Sequence, residues 1–459
     1  MGSFAQGRPG WGGLRGFARS HSLLLTHAGA LALGTLATAF LGFFYWWWAA
    51  RTFSPTAVGL ASAAISMMNL LGHVGEIGLG PFLIGQIPRV RPLAGALIAT
   101  ALTAAVLCSV VVGLAYVAVA GSLSLSLSDN LGSASGGGLF VIGVVLTGFT
   151  LVLDQALVGL LRSELQMWRN IAFAASKLAL LLAVAALVHG QAGEVEILGT
   201  WVVGQICSIA LLGALLARRR QRLFYAPRVA LLSPVVRDVL DHHVLNIVLQ
   251  LPSMALPFVV AVVLSPDINA AFYAGWTLVN VSLLVPASLT AILFSTGGYE
   301  PALFCSRLRL SLAISLAAGL ATGMIFLFGS SFILGLFNPA YRTIAGDGLV
   351  LLGFGSIGVM LKYHYVALRR LQNRMRDAAR ILAIGSLCEL AAAALGGQIG
   401  GLSGLVGGWL AAVLLQGLTL VPSLWRSLRV GLADEMKTRG EGMVGLGPPR
   451  GDLRVGEIA

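Results

Sequence analysis

Twelve apolar stretches, each long enough for a membrane-crossing helix, run through the 459 residues of this chain. They lie at about 23–48, 56–85, 93–120, 138–161, 170–189, 196–217, 243–264, 270–294, 308–329, 345–366, 379–396 and 402–425. A bilayer core about 30 Å thick takes roughly 20 residues of helix, so stretches of this length read as spans. Composition closes the alternatives. Hydrophobic residues make up 57% and charged residues only 10%, too few charges to solvate the soluble domains a chain of this length would otherwise form. The 58 Gly follow no triplet period, and such hydrophobicity excludes a disordered chain. The expected fold is an all-α polytopic membrane protein with about 12 transmembrane helices.

The formal net charge of +12 needs no nucleic-acid partner, because Lys and Arg collect in cytoplasmic loops. With the N-terminus inside and twelve crossings, Arg51 and Arg342 fall outside and Lys177 falls within a span. The remaining Lys and Arg lie on inner segments, Arg162, Arg169 and Lys362 among them. That asymmetry predicts cytosolic N- and C-termini. Arg8, Arg15 and Arg19 precede the first stretch as in a signal peptide, but the stretch is too long for one and shows no small-residue cleavage site. Its end, Tyr45-Trp46-Trp47-Trp48, reads as an aromatic anchor at the far interface. Cys108, Cys207, Cys305 and Cys388 stand far apart, giving neither a zinc site nor a disulfide framework.

The longest inner connection divides the chain near its middle. The expected order is a basic N-terminus (1–22), a six-helix half (23–217), a cytosolic linker (218–242), a second six-helix half (243–425) and a flexible cytosolic tail (426–459). A repeat supports the division. Phe53-Ser54-Pro55-Thr56-Ala57 is matched 211 residues later by Leu264-Ser265-Pro266-Asp267-Ile268, and the same offset maps Asn69 onto Asn280. Both Ser-Pro pairs open a span, where Pro is tolerated in the first turn. Two six-helix halves around a central cavity are a transporter design.

The stretch Phe44-Tyr45-Trp46-Trp47-Trp48-Ala49-Ala50-Arg51-Thr52-Phe53-Ser54-Pro55-Thr56-Ala57-Val58-Gly59-Leu60-Ala61-Ser62-Ala63 resembles the opening of bacterial polysaccharide flippases. These belong to the multidrug/oligosaccharidyl-lipid/polysaccharide exporter superfamily. Arg51, Pro55 and Gly59 fill the places of the family's Ala-Arg-like pair, turn proline and helix-two glycine. Leu70-Leu71-Gly72 and Gly75-Glu76-Ile77-Gly78-Leu79-Gly80 resemble its Gly-rich second helix, and Leu336-Phe337-Asn338-Pro339-Ala340-Tyr341 is similar to the piece before its tenth. The resemblance implies a flippase of the bacterial cytoplasmic membrane, moving lipid-linked oligosaccharide outward for cell-surface polysaccharide biosynthesis. It implies a polyprenyl-diphosphate-type substrate, membrane lipid and polysaccharide-assembly proteins as partners, and no cofactor.

Ionisable groups inside spans cost roughly 2.5–3.5 kcal/mol each and are therefore functional candidates. His73 and Glu76, three apart, share a helix face. His27 lies in span one, Asp154 in span four, Lys177 in span five and Glu389 in span eleven. Asp154 and Lys177 sit at similar depths on consecutive spans, which makes them a candidate structural ion pair. The two histidines read as neutral, hydrogen-bonded residues. An anionic headgroup wants cationic or hydrogen-bonding groups along its path, and the candidate path residues are Arg51, Glu76, Lys177 and Arg342. Arg51 reads equally as a snorkelling interfacial residue. Glu76 is the first candidate for coupling to a proton or cation, and Glu389 the second.

Other features read as structure. Gly75-x-x-Gly78-x-Gly80 follows no strand and precedes no Lys-Ser/Thr, so it is not a nucleotide loop. With no Walker sequence and no metal or catalytic constellation, the chain is not expected to be an enzyme. Gly400, Gly404 and Gly408 suit close helix packing, and Pro252, Pro257 and Pro286 predict kinks. The alternative functions are a cation-coupled multidrug exporter of the same superfamily and, from another class, a membrane glycosyltransferase or ligase.

Overall fold

The computed structural model describes residues 22–122, 132–188, 193–219, 225–231, 236–297 and 301–430. The basic N-terminus, Asp129, much of the central linker and the tail beyond 430 lie outside them, as do the side chains of His27 and Asp241. Among the described residues every regular element is a helix. The chain divides into two compact units, Met1–Leu240 and Asp241–Ala459.

The first unit comprises α1 (Ser22–Thr52), α2 (Pro55–Gly75), α3 (Leu79–Gln86), α4 (Ala94–Ser122), α5 (Ala134–Gly159), α6 (Ser163–Val188) and α7 (Glu194–Arg218). The second comprises α8 (Val236–Val263), α9 (Pro266–Ser282), α10 (Leu284–Gly297), α11 (Pro301–Phe337), α12 (Pro339–Ala345), α13 (Gly355–Leu371) and α14 (Met375–Val430). Nine stretches among the described residues are long and apolar enough to cross a membrane. The chain is a multi-pass membrane protein.

Expected and observed spans differ where the backbone breaks. The stretch 56–85 is two helices, because Ile77 (φ 47°) and Gly78 (φ 72°) are left-handed and end α2. The stretch 270–294 divides at Leu283. Pro286 then falls in the first turn of α10 rather than at a kink, a position where its missing N–H would be unpaired anyway. The stretch 345–366 becomes α-helical only at Gly355, after Gly346 at φ 50° stops α12 and a short 3-10 turn spans Leu352–Phe354. The last two stretches form one element, α14, turned at Gly400 and Gly401, whose φ of 58° is open to Gly and strained for other residues.

Three helices start on the same device. Ser54 Oγ accepts from Ala57 N at 3.2 Å, Ser265 Oγ accepts from Ile268 N at 3.2 Å, and Asn338 Oδ1 accepts from Ala340 N at 3.0 Å. Each cap is followed by Pro. The repeat seen in the sequence is thus a repeated N-cap.

The two prolines inside α8 free backbone carbonyls that other helices satisfy. Pro252 has no N–H to give the carbonyl of Val248, and Ser386 Oγ of α14 donates to that oxygen at 2.6 Å. Pro257 leaves the carbonyl of Ser253, which accepts from Trp276 Nε1 of α9 at 3.0 Å. In a dry environment such compensation is what makes a helix-interior proline tolerable. Ser386→Ala should therefore destabilise the protein by about 1–3 kcal/mol, the cost of a buried carbonyl left unmade. Thermal melts of the purified protein would show it, with Ser306→Ala as a control, its exposed hydroxyl returning only to its own helix.

The arms of α14 pack through small residues. A Cβ at Gly404 would run into the carbonyl of Gly396, and one at Gly408 into that of Ala392. Gly400 has open space around it and belongs to the turn instead.

Candidate functional site

In the first unit, Asp154 does not pair with Lys177. Its carboxylate accepts from Arg169, with Nε on Oδ1 and Nη2 on Oδ2, both at 2.6 Å. Asn170 Nδ2 adds a bond to Oδ2 at 3.1 Å, and Arg169 Nη1 reaches Ser208 Oγ on α7 at 3.4 Å. Asp154 and Lys177 do not sit at similar depths, because α6 starts earlier than its apolar stretch suggests. Helix α6 begins at Ser163, so Arg169 is already within it and buried, not on an inner loop. Asp154 sits little more than one turn before α5 ends, opposite Arg169. Lys177 lies two turns further along α6, about 12 Å at 1.5 Å per residue.

Lys177 is enclosed by rings instead. Its Nζ lies 3.4 Å from the Trp201 ring centroid, 4.8 Å from Phe173 and 5.0 Å from Tyr45. These come from three helices: α1, α6 and α7. Tyr45 is held by its hydroxyl, which shares a 2.8 Å hydrogen bond with Thr200 Oγ1 and donates to Ile197 O at 3.1 Å. Gly204 lets α7 approach the backbone of Lys177. Lys177 is 4% exposed, and no carboxylate pairs with it among the described residues. Desolvated cation–π contacts of this kind are worth about 2 kcal/mol or more. Trp201 Nε1, at the same place, is buried without a hydrogen-bond partner. Tyr45 and Trp46 are therefore core residues. Of the aromatic cluster, Trp48 stays exposed at 39% and Trp47 stacks under the Arg51 guanidinium at 4.7 Å.

Glu76 occupies the break between α2 and α3. It is buried, and its Oε2 lies 3.7 Å from His73 Nδ1. A Cβ at Gly80 would come within 2.8 Å of Glu76 Oε1, so the glycine makes room for the carboxylate. The break that places this acid is the Ile77–Gly78 pair, which the apolar pattern of the stretch conceals.

In the second unit, Glu389 is fully buried and paired. Lys362 Nζ, from α13, donates to Oε1 at 2.6 Å, and Trp409 Nε1, from the other arm of α14, donates to Oε2 at 3.1 Å. Trp276 meets Trp409 edge-on, with centroids 5.0 Å apart. Lys362 lies in the core, 1% exposed. It falls inside the 345–366 stretch, a signal that counting it among inner-loop charges overlooks. Arg342 is exposed on α12, where its Nε donates to Ser331 O at 3.0 Å and its guanidinium lies over Gly335.

The predicted residues thus occupy separate environments. Arg51, Glu76 and Lys177 belong to the first unit, each with different partners, and Arg342 and Glu389 belong to the second. Among the described residues no group of His, Cys, Asp and Glu is arranged to hold a metal ion.

No protein-family model and no curated sequence matches the chain. Solved structures do. A multidrug resistance MATE family transporter of the MOP superfamily in an inward-facing conformation aligns with TM-score 0.63 at 14% identity, over 87% of this chain and 95% of that one. An outward-facing structure of such a transporter gives 0.61 at 13% identity, over 88% and 95%. A MOP superfamily transporter from Pyrococcus furiosus Vc1, reported with reversed binding-pocket polarity that suggests a different function, gives 0.58 at 15% identity, over 89% and 94%. The chain has the fold of MATE family transporters of the MOP superfamily.

Proposed function

We propose that the chain is a membrane transporter, and that its cargo is an anionic amphiphile of the lipid-linked oligosaccharide class, carried outward across a bacterial cytoplasmic membrane. The observation that carries this reading is Lys177. Asp154 is answered by Arg169 and Glu389 by Lys362, whereas among the described residues the ammonium of Lys177 meets ring faces and no carboxylate. A buried cation without a carboxylate is a natural partner for an incoming phosphate. It repels a cationic drug. The half-buried faces of Phe173 and Trp201 suit sugar rings or a polyprenyl chain. Arg51 and Arg342 are proposed to meet the headgroup on exit, and Glu76, at a helix break, to couple transport to a cation or proton.

The second reading, a cation-coupled multidrug exporter, is favoured by the descriptions of the structures that share this fold. Against it, the Pyrococcus furiosus transporter of the same fold is described with reversed pocket polarity, the kind of divergence proposed here.

Reconstituted full-length protein separates the two. Vesicles should move a fluorescent polyprenyl-diphosphate oligosaccharide and leave ethidium where it is. Lys177→Gln should lower that rate about tenfold, the equivalent of ~1.4 kcal/mol, at normal protein level, and Lys177→Arg should keep most of it. Export of ethidium with no movement of the anionic lipid would establish the exporter reading instead.

A further inference from the structure

We infer that Lys362 is a built-in cation: its ammonium holds the place on Glu389 that an exchangeable monovalent cation would otherwise take. The reading starts from how completely the acid is enclosed. Glu389 is 0% exposed, and its two oxygens are each engaged, one by Lys362 and one by Trp409. These are the polar groups described on it. His364, two residues beyond Lys362, is turned to Ser311 of α11 and the carbonyl of Met360 instead. A carboxylate buried this far must be neutralised or given a positive partner. A solution ion would meet that need with an entropy cost at every binding event. A side-chain ammonium meets it from within the fold, as an intramolecular contact already in place when the helices pack.

The first unit also sets a buried ionisable side chain against an indole, with opposite sign. The positions are neighbouring rather than equivalent, since the 211-residue offset maps Trp201 onto Ala412 and not Trp409. The 211-residue offset places Lys177 at Cys388, next to Glu389. Lys177 on α6 meets Trp201 of the following helix, and Glu389 on one arm of α14 meets Trp409 of the other. A cation lies against the indole face in one case, and the indole N–H donates to an anion in the other. The added cation from α13 restores neutrality in the second unit. The buried acid there is consequently silent toward ions in the medium. Any ion dependence of transport then resides elsewhere, with Glu76 the first candidate.

This inference extends the transport reading, but its test does not depend on that reading. The full-length protein is melted at one pH and ionic strength in choline, sodium or potassium chloride, and again in choline at acid pH. The wild-type melting temperature should be the same in the three salts. Lys362→Ala should melt at least ~5 °C lower in choline and recover half or more of that in sodium or potassium, or at acid pH if a proton takes the place. Lys362→Arg should behave as wild type, and Lys362→Ala/Glu389→Gln should lose the ion response. A wild-type protein stabilised by sodium or potassium overturns the inference. So does a folded Lys362→Ala variant that melts alike in every condition. If Lys362→Ala does not fold, the double variant decides: recovery of folded protein supports the counter-cation role, and its failure to fold overturns it.

Discussion

Arg169→Ala should be among the most damaging single substitutions in the first unit. It would remove both 2.6 Å bonds to Asp154 and leave the carboxylate with Asn170 alone. Breaking a buried ion pair from one side costs about 3–5 kcal/mol, because the remaining charge stays buried without a partner. Such a loss is comparable with the whole stability of many domains. The expected result is little folded protein after solubilisation. Arg169→Lys should restore only part of it, since an ammonium cannot make the two-pronged contact of the guanidinium. The double variant Arg169→Ala/Asp154→Ala should recover a large share, because both desolvated charges leave together. Asp154→Ala/Lys177→Ala should show no such recovery, since the two groups do not meet. Equal losses in the two double variants would disprove the pairing.

The second large effect is expected at the crossing of the α14 arms. Gly404→Val would press a branched side chain against the backbone carbonyl of Gly396, which has no rotamer through which to yield. Overpacking usually costs about 1–3 kcal/mol. Here the obstacle is main chain, and the upper end of that range or more is expected. The neighbouring Gly407 supplies the control, because nothing lies within 4 Å of a Cβ built there. Gly407→Ala should be neutral or stabilise the helix by up to ~1 kcal/mol. Melting temperatures of the two variants give the comparison directly. A Gly404→Val protein as stable as wild type would mean that the arms do not cross at these residues.

Much of the architecture was legible because its determinants are local. An apolar run of about 20 residues has few alternatives to a buried or membrane-crossing helix, and a Ser-Pro or Asn-Pro pair caps the helix that follows whatever surrounds it. Those features set the all-helical fold and the repeated helix starts. The breaks were less legible. The turn at Ile77–Gly78 and the one before Gly355 lie within apolar stretches, where hydropathy does not register left-handed residues. The Gly spacing near residue 404 correctly pointed to close packing, but Gly400 proved to be part of the turn.

The sequence by itself determined which residues bear charge inside the apolar stretches. Their depths depend on where each helix begins, and α6 begins at Ser163, which sets Lys177 about two turns beyond the level of Asp154. Only the tertiary structure decided which charges meet. Depth is one coordinate. Pairing also depends on which way each helix is turned and which neighbours it touches. Asp154 therefore chose Arg169 over Lys177, Glu389 took Lys362, and Lys177 was left to Tyr45, Phe173 and Trp201. Likewise Pro252 and Pro257 announced orphaned carbonyls in α8, but the donors that satisfy them come from other helices, Trp276 from the next one and Ser386 from far along the chain. Long-range hydrogen bonds are selected by the packing of whole helices, and no short stretch of sequence encodes them.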